Sequence, residues 1–252
     1  MASNPPGKCC TVGKLHDGTP TGETVQLEGN ISGYLAKASS PTSAAVIIFP
    51  DVFGIWQNTK LLADEFAARG YTALIPDLFN GDQLDISVDL SKFDIMGWFG
   101  KGSSGDNPHG PEQVDVPSSA AVKYLKGLGY TRIGGAGYCI GAKYVVRHMK
   151  DEINVGFLAH PSFVSPEELT AITGPLSIAA AEFDNIFPTE KRHETEELLL
   201  GDKVKQPFQI NLFSGVHHGF GVRGDLSNKQ VKYGKEQAFL QAVSWFDQFL
   251  KE

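Results

Sequence analysis

Short unbroken apolar runs alternate with stretches of helical spacing along this 252-residue chain. The runs are Ala44-Ala45-Val46-Ile47-Ile48-Phe49, Tyr71-Thr72-Ala73-Leu74-Ile75, Val155-Gly156-Phe157-Leu158-Ala159 and Leu176-Ser177-Ile178-Ala179-Ala180-Ala181. Runs of this length without polar alternation suit strands buried on both faces of a mostly parallel sheet. Between them, Leu61, Leu62 and Phe66 recur at helical spacing in a segment that starts near Asn58 and stops at Gly70. Further helices are predicted over about Ser118 to Leu128, over Ala142 to Met149 and over the charged stretch Thr189 to Leu200. At the end, Phe239, Ala242, Val243, Phe246, Phe249 and Leu250 share one helical face, a stripe that reads as core packing.

Two other patterns complete the frame. Thr24 to Leu27 and Ile31 to Ala36 flank Glu28-Gly29-Asn30 as a β-hairpin would. Pro207 to Phe213 alternates like a half-buried strand. Strand and helix taking turns predicts an α/β class chain with a mostly parallel central sheet and helices on both faces. No repeat or linker divides it, so residues 1–252 read as one domain. The rhythm breaks from Leu78 to Pro117, which is rich in Gly, Asp and Ser yet holds Phe93, Met96, Trp98 and Phe99. Long aperiodic segments inside a domain are usually functional. This one reads as a lid-like insertion over a pocket or as a surface excursion.

Charge and cysteine content narrow the partners. A formal net charge of −7 offers no footprint for nucleic acid or an anionic membrane. No apolar run approaches a membrane span, and Met1-Ala2-Ser3-Asn4-Pro5-Pro6 lacks the basic and apolar regions of a signal peptide. The expectation is a cytoplasmic protein with a small-molecule partner, as monomer or homodimer. Of the three cysteines, Cys9 and Cys10 are adjacent and read as structural or exposed. Neither a disulfide framework nor metal-ligand spacing is visible, and no cofactor is expected.

The third cysteine is different. Gly137-Tyr138-Cys139-Ile140-Gly141 is a nucleophile elbow, G-x-S-x-G, with sulfur in place of oxygen. A nucleophile lifted off a strand end on a sharp turn brings the positions two before and two after it together, where only small residues fit. The N–H of Ile140 then faces an oxyanion, and the following helix turns its positive end toward a thiolate. The nearby G-x-G-x-x-x-G is one residue too long for a dinucleotide fingerprint, and no Gly-Lys-Ser/Thr follows for a phosphate loop. A buried cysteine in a glycine-rich turn is the bland alternative.

Downstream partners weigh against the bland alternative. Asp184 follows one strand-like run and His218 another, at the sheet end where reactive groups collect in such folds. Nucleophile, acid, then histidine is the chain order of α/β-hydrolases. Glu182 and Asn185 are rival orienting groups, and His217 is the rival histidine.

Taken as a set, several segments resemble the dienelactone hydrolase family, carboxymethylenebutenolidase-like enzymes with the α/β-hydrolase fold. They are Phe49-Pro50-Asp51-Val52-Phe53-Gly54, Gly70 to Phe79, the Cys139 elbow, Asp184 with Pro188, and His218-Gly219-Phe220. The similarity runs from about Gly22 to the last helix, and the opening residues Ala2 to Cys10 resemble fungal members. The resemblance implies a Cys139–His218–Asp184 triad that cleaves a lactone or activated ester through a thioester. It implies Val52 N–H as the second oxyanion donor beside Ile140. Asp51, Phe53, Tyr138 and Arg223, with Trp98 and Phe99 of the insertion, are the expected pocket residues. Asp51 stands where the prototype carries Glu, and Arg223 is shifted by one residue from the prototype's substrate-binding arginine. Two other outcomes stay open: an isomerase or cyclase on the same scaffold, and a catalytically silent binding protein.

Overall fold

The computed structural model describes residues 2–7, 13–40, 42–88 and 93–251; Cys9 and Cys10 lie outside the described residues. Among the described residues, β1 (Glu23–Leu27), β2 (Ile31–Ala36), β3 (Ala44–Phe49), β4 (Thr72–Pro76), β5 (Arg132–Tyr138), β6 (Val155–Ala159), β7 (Leu176–Phe183) and β8 (Phe208–His217) form one sheet. Its spatial order is β1-β2-β4-β3-β5-β6-β7-β8. The β1–β2 hairpin and the β2–β4 pair are antiparallel, and every other pairing is parallel. β5 therefore sits near the middle, and the turn that leaves it emerges at the centre of the carboxyl edge.

The helices are α1 (Gln57–Ala68), α2 (Ile95–Lys101), α3 (Pro111–Gly127), α4 (Gly141–His148), α5 (Pro166–Leu169), α6 (Thr189–Leu200), α7 (Phe220–Arg223) and α8 (Lys229–Phe249). Period-two alternation in β3 assigns them to layers. Ala44, Val46 and Ile48 share a core with Leu62, Ala63 and Phe66 of α1 and with Phe239, Ala242 and Phe246 of α8. Ala45, Ile47 and Phe49 pack instead with α3, through Val114, Ala121 and Leu125, and with α4, through Val145 and Val146. Burying both faces of one strand removes all its side chains from water, at roughly 25 cal/mol per Å² of apolar surface.

Three departures from the periodicity have physical causes. α3 starts at Pro111 rather than near Ser118, so the aperiodic insertion ends at about residue 110. Proline suits the first helical position, and the internal Pro117 is carried by packing, since Val114, Pro117, Ala121 and Leu125 bury one stripe. β8 runs past Phe213 to His217, resuming its pairing with β7 after a bulge. The insertion also carries α2, capped by the Asp94 side chain, which accepts from Gly97 N. No helix among the described residues is long and apolar enough to cross a membrane.

Candidate active site

The elbow is set by two close approaches. A Cβ on Gly141 would stand 2.0 Å from the Phe49 carbonyl oxygen, and one on Gly137 would stand 2.6 Å from Ala142 Cα. Neither is possible without moving backbone. Between them Cys139 holds φ at 55°, the left-handed region that residues with side chains rarely occupy. α4 then begins against the end of β3, which brings the Pro50–Phe53 turn beside the elbow. Val52 in that turn is buried, and its carbonyl accepts from Leu84 N at 2.9 Å.

The structure brings Cys139, His218 and Asp184 together from three strand ends. The His218 ring lies between the other two side chains, hydrogen-bonded to both; Nδ1 meets Asp184 Oδ2 at 2.8 Å. Asp184 is aimed by its own turn, with Oδ1 accepting from the N–H groups of Ile186 (2.8 Å) and Phe187 (3.0 Å). Of the rival orienting groups, Glu182 is engaged elsewhere, accepting from Ser214 Oγ and Gly215 N, and Asn185 is exposed, its backbone carbonyl accepting from Asn4 Nδ2. The rival His217 is exposed and stacks on exposed Phe183, ring centroids 5.0 Å apart. Burial of His218 works against its charged form. The charge on the Cys139 sulfur, then the hydrogen bond and charge of Asp184, outweigh burial and push its pKa up to about 10.

The expected pocket residues divide. Asp51 and Arg223 are both buried and paired to each other, Nη1 to Oδ2 at 2.5 Å, with Phe53 N donating to Asp51 Oδ1 and the guanidinium 5.8 Å from the Phe53 ring centroid. Burial pushes the Asp51 pKa up, Arg223 only partly offsets it, and the Cys139 sulfur adds to it. Arg223, expected to face substrate, is thus turned to Asp51, because a buried carboxylate demands a partner. Phe99 reaches the loop after β6, its ring 5.6 Å from that of Phe163. Trp98 is held inside the insertion: Nε1 donates to the Asp82 carbonyl and its ring packs 4.4 Å from His109, which bonds Asp82. Tyr138 corrects the expectation, since its ring joins the core on the α1 and α8 face, near Phe157 and His160. As the residue before Cys139 it follows the strand's alternation to the opposite side.

A family model describing the dienelactone hydrolase family matches residues 31–250. The chain belongs to the dienelactone hydrolase family. It is accordingly an enzyme, a carboxylic ester hydrolase of the dienelactone hydrolase type. The hydrolase is 45% identical to the hydrolase pyvD of Aspergillus violaceofuscus and 42% identical to the hydrolase tropI of Talaromyces stipitatus, with all of each chain covered. It is 32% identical to dienlactone hydrolase 1 of Gibberella moniliformis, over 99% of this chain and 96% of that one. Among solved structures, a dienelactone hydrolase-like promiscuous phosphotriesterase from metagenomic libraries superposes with a TM-score of 0.71 at 16% identity, covering 92% of this chain and 99% of that one. A dienelactone hydrolase from Anabaena variabilis gives 0.67 at 11% identity, covering 93% and 100%. At those identities the likeness shows the fold, the α/β-hydrolase fold with its mostly parallel sheet.

Two residues that adjoin Cys139 and His218 had no signal in sequence. Ser162 is fully buried, with Oγ 3.4 Å from Cys139 Sγ. His160 is also fully buried, with φ at 40°, its ring 4.9 Å from that of His218 and neither ring nitrogen hydrogen-bonded. Burial first, then the charges of His218 and Arg223, hold its pKa well below the usual 6.5. Both follow the apolar run of β6 in His160-Pro161-Ser162, which reads as an ordinary turn.

Proposed function

We propose that this hydrolase opens a lactone or cleaves an activated ester through a thioester on Cys139. The observation that carries the reading is the hydrogen-bonded line from Cys139 through His218 to Asp184, mounted on a left-handed elbow residue. An imidazole pKa lifted to about 10 favours imidazolium beside thiolate at neutral pH, the charged state from which sulfur attacks. Thiolate adds to the carbonyl carbon. The resulting oxyanion lies between the N–H groups of Ile140, at the start of α4, and Val52, in the turn pressed against it. Losing one such donor typically costs about 10²–10³ in rate. His218 gives its proton to the departing oxygen, and the thioester forms. Water, deprotonated by His218, then attacks that carbonyl, the carbon–sulfur bond breaks, and the thiolate returns beside the imidazolium. Asp184 keeps the ring oriented throughout. A lactone whose ring oxygen leaves as an enolate suits a sulfur nucleophile, since the leaving group is already stable.

The pocket proposed above the sulfur is aromatic rather than cationic. Phe53 and Phe99 are buried with Cys139 in one core, and Phe163 packs against it, whereas Arg223 is engaged by Asp51. The insertion over residues 78–110 acts as the lid in this reading.

The test is Cys139→Ala against p-nitrophenyl acetate. Turnover is expected to fall by about 10³ or more with the thermal unfolding midpoint nearly unchanged. Intact-mass measurement during wild-type turnover is expected to find an acetyl group on Cys139. Ester cleavage that survives the substitution at full rate removes the covalent role. Reaction in heavy-oxygen water separates hydrolysis from isomerisation, because only hydrolysis places solvent oxygen in the product.

A further inference from the structure

Ser162 stands outside the three-residue line, yet its hydroxyl is in hydrogen-bonding contact with the nucleophile. Oγ lies 3.4 Å from Cys139 Sγ, and Ser162 N donates to the Cys139 carbonyl at 3.0 Å, so Ser162 is tied to Cys139 at two points. Its side chain is fully buried. A buried hydroxyl needs a good acceptor, and a neutral thiol is a poor one. A thiolate is a good one, since hydrogen bonds to ionised groups are roughly twice as strong as neutral ones.

The loop that presents Ser162 is strained and clamped. His160 and Phe163, on either side of it, hold φ at 40° and 62°. Strain of that kind persists only where the surroundings over-determine it. Here they do: Ser3 N donates to the Val164 carbonyl, Val164 N to Ser3 Oγ, Phe163 N to the Asn4 carbonyl, and Lys143 Nζ to the Phe163 carbonyl. Four bonds from two remote parts of the chain thus hold this short loop.

We propose that Ser162 is a fourth catalytic residue, whose hydroxyl donates to the Cys139 sulfur, stabilises it as thiolate and fixes its direction of attack. Through the acylation step the sulfur gives up its charge to the new carbon bond and the hydroxyl loses its acceptor. Ser162 therefore acts on the attacking ion, complementing the imidazole. The charged and titratable groups facing this sulfur are His218 and Asp51, with Arg223 behind Asp51 and neutral His160 behind His218.

This inference rests on Cys139 being the nucleophile, and the experiment separates the two. Ser162→Ala and Ser162→Gly both remove the hydroxyl without adding an atom, and having two keeps the test alive should one fail to fold. Iodoacetamide alkylation is followed across pH, with the label mapped to Cys139 by mass spectrometry. The midpoint of the rate profile is expected to rise by about one pH unit, so that alkylation below the midpoint slows about tenfold. The acylation burst with p-nitrophenyl acetate is expected to slow by a similar factor, with KM within about twofold of wild type. A midpoint and burst unchanged in a folded variant overturn the role of Ser162 while leaving Cys139 as nucleophile. If instead Cys139→Ala retains ester turnover, the nucleophile reading itself falls.

Discussion

His160 and His218 lie ring against ring, yet their surroundings push their proton affinities in opposite directions. His218 is raised to about 10, so its contribution to stability is complete below the unfolded value of 6.5 and is lost as pH climbs toward 10. His160 is depressed, so its contribution is complete above 6.5 and is lost as pH falls, when the unfolded chain takes up a proton that the folded one refuses. Stability is therefore expected to fall on both sides of neutrality. His160→Phe removes one proton from the acid side, and urea midpoints at pH 5.5 and 7.5 should lie closer together in the variant than in wild type. Cys139→Ala removes a charge that supports His218, so the imidazole titration, followed by NMR, is expected to shift downward. Arg223 carries a different expectation. Arg223→Ala strands the buried Asp51 carboxylate and should cost about 3–5 kcal/mol in denaturant unfolding. The double variant Arg223→Met with Asp51→Leu should recover much of that loss, because an apolar pair needs no compensating charge.

Elements carry the geometry that these residues use. β5 delivers Cys139 to the middle of the sheet's carboxyl edge, and α4 leaves at once against the end of β3. Gly141→Ala is expected to cost at least about 3 kcal/mol, because the clash is with the Phe49 backbone rather than with a mobile side chain. Chemical denaturation measures the loss, and activity should fall further than stability, since the Pro50–Phe53 turn, proposed above to hold the oxyanion, moves with β3. The elbow was legible in sequence because its spacing is local: glycine at two fixed offsets from one cysteine. α3 was legible only in its second half, since Pro111 and Pro117 read as breaks until packing outweighs their propensity. α7 was not legible at all. Phe220–Arg223 is a single turn, positioned by Gly219 at φ 91° and by the Lys14 N–H on the Arg223 carbonyl.

Across the whole molecule, the first described residues of the chain are bound into the foundations of the candidate site. Ala2 and Ser3 are buried; Asn4 N donates to the Ile186 carbonyl, and Phe163 N donates to the Asn4 carbonyl. This strap ties the turn that aims Asp184 to the loop that presents Ser162. Farther along, His16 N donates to Asn58 Oδ1 and His16 Nε2 meets the Gly224 carbonyl, joining α1 to the segment after α7. Removing residues 1–7 is expected to lower kcat about 10- to 100-fold through misalignment of these two loops, with a smaller change in KM. Steady-state kinetics on an activated ester measures it, alongside circular dichroism to show that the sheet persists.

By itself the sequence determined the α/β alternation, the buried strands, the apolar stripe of the last helix and the three side chains that the fold brings together at the elbow, because each rests on local spacing or chain order. Only the tertiary structure decided that Arg223 answers Asp51, that Tyr138 turns into the core, that His160 backs His218 and that Ser162 touches the sulfur. Those are contacts between residues far apart in the chain or on either side of a bend. A one-dimensional pattern records which side chains are apolar and how they are spaced, but not which polar groups burial will force to find one another.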